Sequence, residues 1–232
     1  HIQLRGFNKG MLLETKVREV MSGGETVDGF ISSVAGPTPT PGGGSVAAHA
    51  GALGAALAQM VAGLTIGKKK YAAVEDEMKQ LALQASSLRR ALTALVERDA
   101  QSYEGVRAAY QLPKDTEAQQ EARTAAIREA LIGAAEVPLE TARTAVDVAA
   151  LAAVLAERGN SNAVSDACVG ALLAEAACKG AVFNVRINVA SLDDAGTERG
   201  AELASEARKL LDAASMHARI AEAAAERAMT PA

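Results

Sequence analysis

A chain of 232 residues is long enough for one large domain or two small ones. A formal charge of -4 leaves no basic surplus for nucleic acid. With 49% hydrophobic residues but only 3% aromatic and no Trp, the apolar content is mostly Ala, Leu and Val, the composition of a helix bundle. Cys168 and Cys178 fall in one segment of helical pattern, about 15 Å apart along its axis. They cannot pair with each other there, and free thiols fit a reducing cytoplasm.

Apolar residues recur at helical spacing throughout, and no segment alternates as a strand. Residues 1–10 match no later pattern and are expected to be foreign to the native chain or unfolded, with Met11 as the native start and 11–232 as one helical domain. No signal peptide is evident. Helices are predicted within 11–35 and over 45–66, 72–110, 116–134, 138–158, 163–190 and 196–228. The apolar run 46–66 is long enough to cross a bilayer. Its content is Ala and Gly, with His49 and Gln59 inside and no aromatic belt at either flank, so a central helix of a soluble bundle is expected.

Directly ahead of that run stands "PTPTPGGGS". The first N–H groups of a helix lack internal partners and carry the positive end of the dipole, so Pro41, Gly42, Gly43, Gly44 and Ser45 suit a ligand's polar or anionic edge, with Ser45 as N-cap. A tight turn with no ligand is the plainer alternative. Lys68, Lys69 and Lys70, behind the run, suit a solvated helix end or an anion.

Along 72–110 the stripe Leu81, Leu88, Leu92, Leu95, Asp99, Tyr103 and Val106 turns Asp99 toward the core. A carboxylate there is expected either to pair with a cation, the lysines at 68–70 being candidates, or to serve as a general acid or base. In "GNSNAVSD", Asn160, Ser161 or Asn162 can cap a helix whose first turns hold Asp166. One face of that helix runs Asp166, Gly170, Ala174, Ala177, Ala181, Asn184, Asn188, so its amides either meet buried backbone groups or line a cleft. Three histidines without ligand spacing make a metal site unexpected. A Ser45–His49 pair lacks an acidic orienter.

Four segments in this order, "PTPGGGSVAAHAGALGAALAQMVAGLTIGKKKY", "ERDAQSYEGVRAAYQLPK", "AAEVPLETA" and "RGNSNAVSDACVGALLAEAACKGAVFNVRIN", resemble the folate cyclodeaminase/cyclohydrolase family. That family includes the C-terminal domain of formiminotransferase-cyclodeaminase and stand-alone methenyltetrahydrofolate cyclohydrolases. The likeness covers residues 27–220.

The resemblance implies an all-α, single-domain bundle of long antiparallel helices. It would be a cytoplasmic homodimer acting on a tetrahydrofolate derivative with no metal or redox cofactor, and with neither nucleic acid nor membrane as partner. The activity that the resemblance implies is formimidoyltetrahydrofolate cyclodeaminase, methenyltetrahydrofolate cyclohydrolase, or both. A non-catalytic dimeric helical module is the alternative. The family pattern falls on Pro41–Ser45, Lys68, Lys69, Lys70, Tyr71, Asn160, Asn162, Ser165, Asn184 and Asn188 as substrate-binding positions. Asp99 is then the principal acid/base, with Asp166 as second choice. The glycine turn would receive the folate, the lysines its glutamate tail, and the asparagines the pterin edge. His49 departs from the pattern.

Overall fold

A computed structural model describes residues 26–193 and 196–230. The segment 1–10 and the expected start at Met11 lie outside the described residues. The chain falls into two compact units, residues 1–40 and 41–232. In the first, the described part holds helix α1 (Val27–Val34), whose N-cap Thr26 accepts from the Gly29 N–H at 3.1 Å.

The second unit contains α2 (Gly43–Thr65), α3 (Glu75–Tyr110), α4 (Glu117–Arg158), α5 (Val164–Val189) and α6 (Thr197–Met229). Short 3-10 turns at Lys69–Val74 and Ser161–Ala163 precede α3 and α5. Among the described residues there is no strand, so the protein is all-α as its composition required.

Alanine dominates the interior, and glycine sets the closest approach. A Cβ at Gly54 of α2 would lie 2.7 Å from the Gly170 carbonyl oxygen of α5, so the two backbones touch where both lack a side chain. From this crossing toward the N-terminus of α2, Gly51 faces Ala177 and Gly180 faces Ala47. Met78, Leu92 and Leu95 of α3, Leu139 and Leu155 of α4 and Leu203 of α6 supply the large buried side chains.

 Each contributes about 1.5–3 kcal/mol relative to exposure.

Two helices were expected over 116–134 and 138–158, and the structure joins them into the single 42-residue α4 with Pro138 inside. The break was inferred because an interior proline removes one ladder hydrogen bond and crowds the preceding turn. Here the loss is repaired from outside. Pro138 has no N–H for the Ala134 carbonyl, and Asn188 Nδ2 of α5 donates to that oxygen at 2.8 Å.

By length and composition alone, α2 and the segment Ser161–Val189 are apolar enough to cross a membrane. About half of each such stretch, 50% and 44%, is buried within the chain.

Candidate functional site

Asp99 does turn inward, but toward a different partner from the lysines. Its Oδ2 accepts from the Ser45 hydroxyl at 2.9 Å, and the Ser45 main-chain N–H also bonds to the carboxylate. The N-cap of α2 is Gly42, which offers no side chain, and Ser45 sits three residues further in. Ser45 is therefore not the cap that the sequence suggested. Instead the carboxylate of Asp99, reaching across from α3, occupies the positive end of α2. Gly44 makes room for it: a Cβ there would fall 2.0 Å from Oδ1. The helix end expected to receive a ligand edge is thus already taken, in part, by the protein's own carboxylate.

Burial pushes the Asp99 carboxyl above the usual carboxylate range, and the Ser45 hydroxyl and N–H pull it part of the way back. Ser45 is fully buried, and its hydroxyl lies 2.9 Å from Asp99 Oδ2 and 3.1 Å from the Val96 carbonyl oxygen. A hydroxyl carries one proton and can donate to only one of them at a time. With Asp99 ionised, Ser45 donates to the carboxylate. With Asp99 protonated, the acid can donate to Ser45 Oγ while the hydroxyl turns to Val96. Both protonation states keep their hydrogen bonds, which is what a group that takes up and releases a proton needs.

Asn184 completes this end of the bundle. A Cβ on Gly43 would meet its Nδ2 at 3.7 Å, and the amide donates to the Gly180 carbonyl at 2.9 Å. Pro41, Gly42 and Gly43 lead directly into α2 here. Asn188 is one turn further along α5, with its amide donated to Ala134 as described. His49 lies one turn beyond Ser45 and is half-buried.

The remaining predicted residues gather at the opposite end of α2. Lys70 Nζ donates to Ser161 Oγ at 3.3 Å and lies 5.2 Å from the Tyr71 ring centroid. The Tyr71 hydroxyl donates to Ser161 Oγ at 3.1 Å and accepts from the Ser161 N–H at 2.9 Å. These bonds to Ser161 lower the Tyr71 phenol below its ordinary value. Asn160 caps the short turn before α5 by accepting from the Asn162 N–H at 3.1 Å, and its Nδ2 donates to the Leu64 carbonyl at 3.0 Å. Lys68, Lys69, Asn162 and Ser165 are exposed, and Asp166 stands in the first turn of α5.

Sequence reasoning passed over Thr65, which is buried and accepts from the Asn160 N–H at 2.9 Å. A lone Thr in an Ala/Gly run carries no signal of that contact. Nor could any pattern have pointed to the Val96 carbonyl. The expected Lys–Asp99 pair is absent because α2, with 23 residues, holds its two ends about 33 Å apart. Among the described residues no group of three or more His, Cys, Asp and Glu is placed to hold a metal ion.

An all-α bundle with a half-buried carboxylate seated on a glycine-led helix N-terminus has the parts of an acid–base enzyme that needs room beside a backbone turn. The chain belongs to the formiminotransferase-cyclodeaminase family, whose model matches residues 26–209. A methenyltetrahydrofolate cyclohydrolase of Methylorubrum extorquens is 47% identical over 174 residues, spanning 75% of this chain and 84% of that protein. The formimidoyltransferase-cyclodeaminase of Rattus norvegicus is 38% identical over 165 residues, and the match spans 71% of this chain but only 30% of that longer protein. The crystal structure of a formiminotetrahydrofolate cyclodeaminase from Thermotoga maritima superposes with a TM-score of 0.73 at 32% identity, covering 85% of this chain and 96% of that one.

Proposed function

We propose that the chain is a folate one-carbon enzyme that opens the methenyl bridge of 5,10-methenyltetrahydrofolate with water, and that Asp99 is its acid/base. The observation that carries this reading is the Asp99–Ser45 pair, a carboxyl raised by burial whose two protonation states are both hydrogen-bonded. Water adds to the methenyl carbon as Asp99 takes one of its protons. The resulting adduct collapses as Asp99 returns a proton to the ring nitrogen, the bond from that nitrogen to carbon breaks and the adduct's hydroxyl proton leaves to solvent, so that the cationic substrate becomes formyltetrahydrofolate with release of one proton. Asn184 and the glycine turn orient the pterin beside the carboxylate. No metal or redox cofactor is used.

Ring closure of formimidoyltetrahydrofolate with loss of ammonia is the second reading, favoured by the likeness to the Thermotoga maritima structure. It calls on the same parts: the anilinic nitrogen attacks the formimidoyl carbon, and Asp99 protonates the departing amine. Asp166, at the other end of α5, remains the alternative carboxylate.

The protein is further proposed to be a cytoplasmic homodimer built of antiparallel helices. The antiparallel course is supported by contacts of Ala47 with Gly180, Gly54 with Gly170 and Leu64 with Asn160, in which residue numbers rise along α2 as they fall along α5 and into the turn that precedes it.

The test is absorbance. The near-ultraviolet band of the methenyl bridge should disappear from methenyltetrahydrofolate, or appear from formimidoyltetrahydrofolate, on addition of protein. Asp99→Asn should slow this at least a hundredfold with helicity unchanged, within the about 10²–10⁴ expected of a general acid/base. Near-full activity in Asp99→Asn would remove it from the role.

A further inference from the structure

The seam between α5 and α6 holds a cavity of about 480 Å³ that no candidate site residue lines. Arg186 of α5 and Arg208 of α6 both border it, and so does Ser205, one turn before Arg208. Its apolar walls include Val182, Ala204 and Leu211. Among the described residues neither guanidinium forms an ion pair or a side-chain hydrogen bond, and the Ser205 hydroxyl is likewise without a partner.

The acids that could neutralise these arginines are held elsewhere. Glu202 bonds to Arg199, Glu206 to Arg143 and Glu175 to Lys179. Asp212, one turn beyond Arg208, lines the adjoining cavity with Lys179 rather than this one. Two like charges brought to one cavity without a counter-charge repel each other, and an anion bound there turns that repulsion into attraction. A guanidinium fork matches the oxygens of a carboxylate or phosphate two at a time, and the volume falls in the range of small-molecule sites. The cavity also faces away from the reaction centre: Asn184 is turned to the glycine turn of α2, whereas Arg186, two residues on, is about 200° further round α5.

We propose that this cavity is a second ligand site, separate from the Asp99 centre, which takes a small dianion bridging Arg186 and Arg208. Ser205 donates to the same ligand, and the apolar part of the ligand lies on Val182, Ala204 and Leu211. The shared chemistry is two negative charges in one small molecule, carried either by two carboxylates or by one phosphate. Binding ties α5 to α6 and so stabilises the folded chain by mass action. The site does not depend on the folate reading, because none of its residues takes part in that reaction.

The experiment is calorimetric titration of the full chain with glutarate and with inorganic phosphate at fixed ionic strength, with acetate as the monoanion. One of the two dianions should bind once per chain with a Kd of about 1 mM or tighter, and acetate at least tenfold more weakly. Tighter glutarate assigns two separated carboxylates, and tighter phosphate assigns one group shared by both forks. Arg186→Gln and Arg208→Gln should each weaken binding at least tenfold. Both side chains are exposed, so these variants should keep the wild-type helicity by circular dichroism. A Kd above about 10 mM for both dianions, acetate binding as well as they do, or one arginine variant binding like wild type overturns the proposal.

Turnover separates this site from the reaction centre. With the bound dianion at saturation, KM for methenyltetrahydrofolate should stay within twofold of its value without it, and a competitive rise in KM would overturn the separate site by placing the folate's own carboxylates in the cavity. Wild-type protein that turns over neither folate but binds a dianion through both arginines ends the functional reading alone.

Discussion

Gly44→Ala isolates the contact on which the site depends. Gly44 does not have a positive φ, so alanine meets no backbone strain there, and the whole effect is steric. The new Cβ would lie 2.0 Å from Asp99 Oδ1, 2.5 Å from Cγ and 2.7 Å from Oδ2. Reaching an ordinary contact of 3.4 Å requires a shift of about 1.4 Å by the carboxylate or by the first turn of α2. The carboxylate is the softer of the two, so it swings away and gives up its bonds to Ser45. Overpacking of this kind costs about 1–3 kcal/mol, while a misplacement of about 1 Å at a reacting group costs about 10² in rate. We therefore expect a folded protein, by circular dichroism and thermal melting, with methenyl turnover down about a hundredfold. Gly105→Ala, in the exposed interior of α3 with nothing within 4 Å of its would-be Cβ, should keep full activity and gain up to about 1 kcal/mol. Gly44→Ala with turnover within twofold of wild type would refute the placement of Asp99 at the reaction centre.

Three further outcomes are expected. Because burial raises the Asp99 pKa in the folded state, the folded protein holds that proton more tightly than the unfolded chain. Stability from this group is then full below the ordinary pKa of 3.8 and declines as pH rises through the raised value. Melting temperatures of wild type relative to Asp99→Asn should accordingly fall with pH above that point and then level off; a relative rise would reverse the sign of the shift. Asn188→Ala should cost about 1–3 kcal/mol by orphaning the Ala134 carbonyl, and much less in a Pro138→Ala background, where the restored N–H supplies the missing donor. Urea denaturation of the four proteins in this cycle measures the coupling, and additive losses would disprove the repair. Gly54→Ala should destabilise by about 1–3 kcal/mol, since its Cβ would press on the Gly170 carbonyl at 2.7 Å, and an unchanged unfolding midpoint would contradict so close a crossing.

Much of this protein was legible in its residues taken locally. Most of the helices, the inward stripe holding Asp99 and a cap among Asn160, Ser161 and Asn162 follow from spacing and turn chemistry, which act over a few residues, whereas the single helix through Pro138 does not. The separation of the glycine turn from the lysines was also implicit, since a helical run of this length is a rod about 33 Å long. What pattern could not supply was which helix meets which. Asp99 bonds to Ser45 across 54 positions of sequence, and Asn188 relieves Pro138 from another helix. Those pairings depend on how rigid helices cross, and the crossings are set where opposed glycines and alanines let two backbones touch. Each chemistry-bearing residue was therefore marked by its local setting, while its partner was chosen by the packing of the bundle.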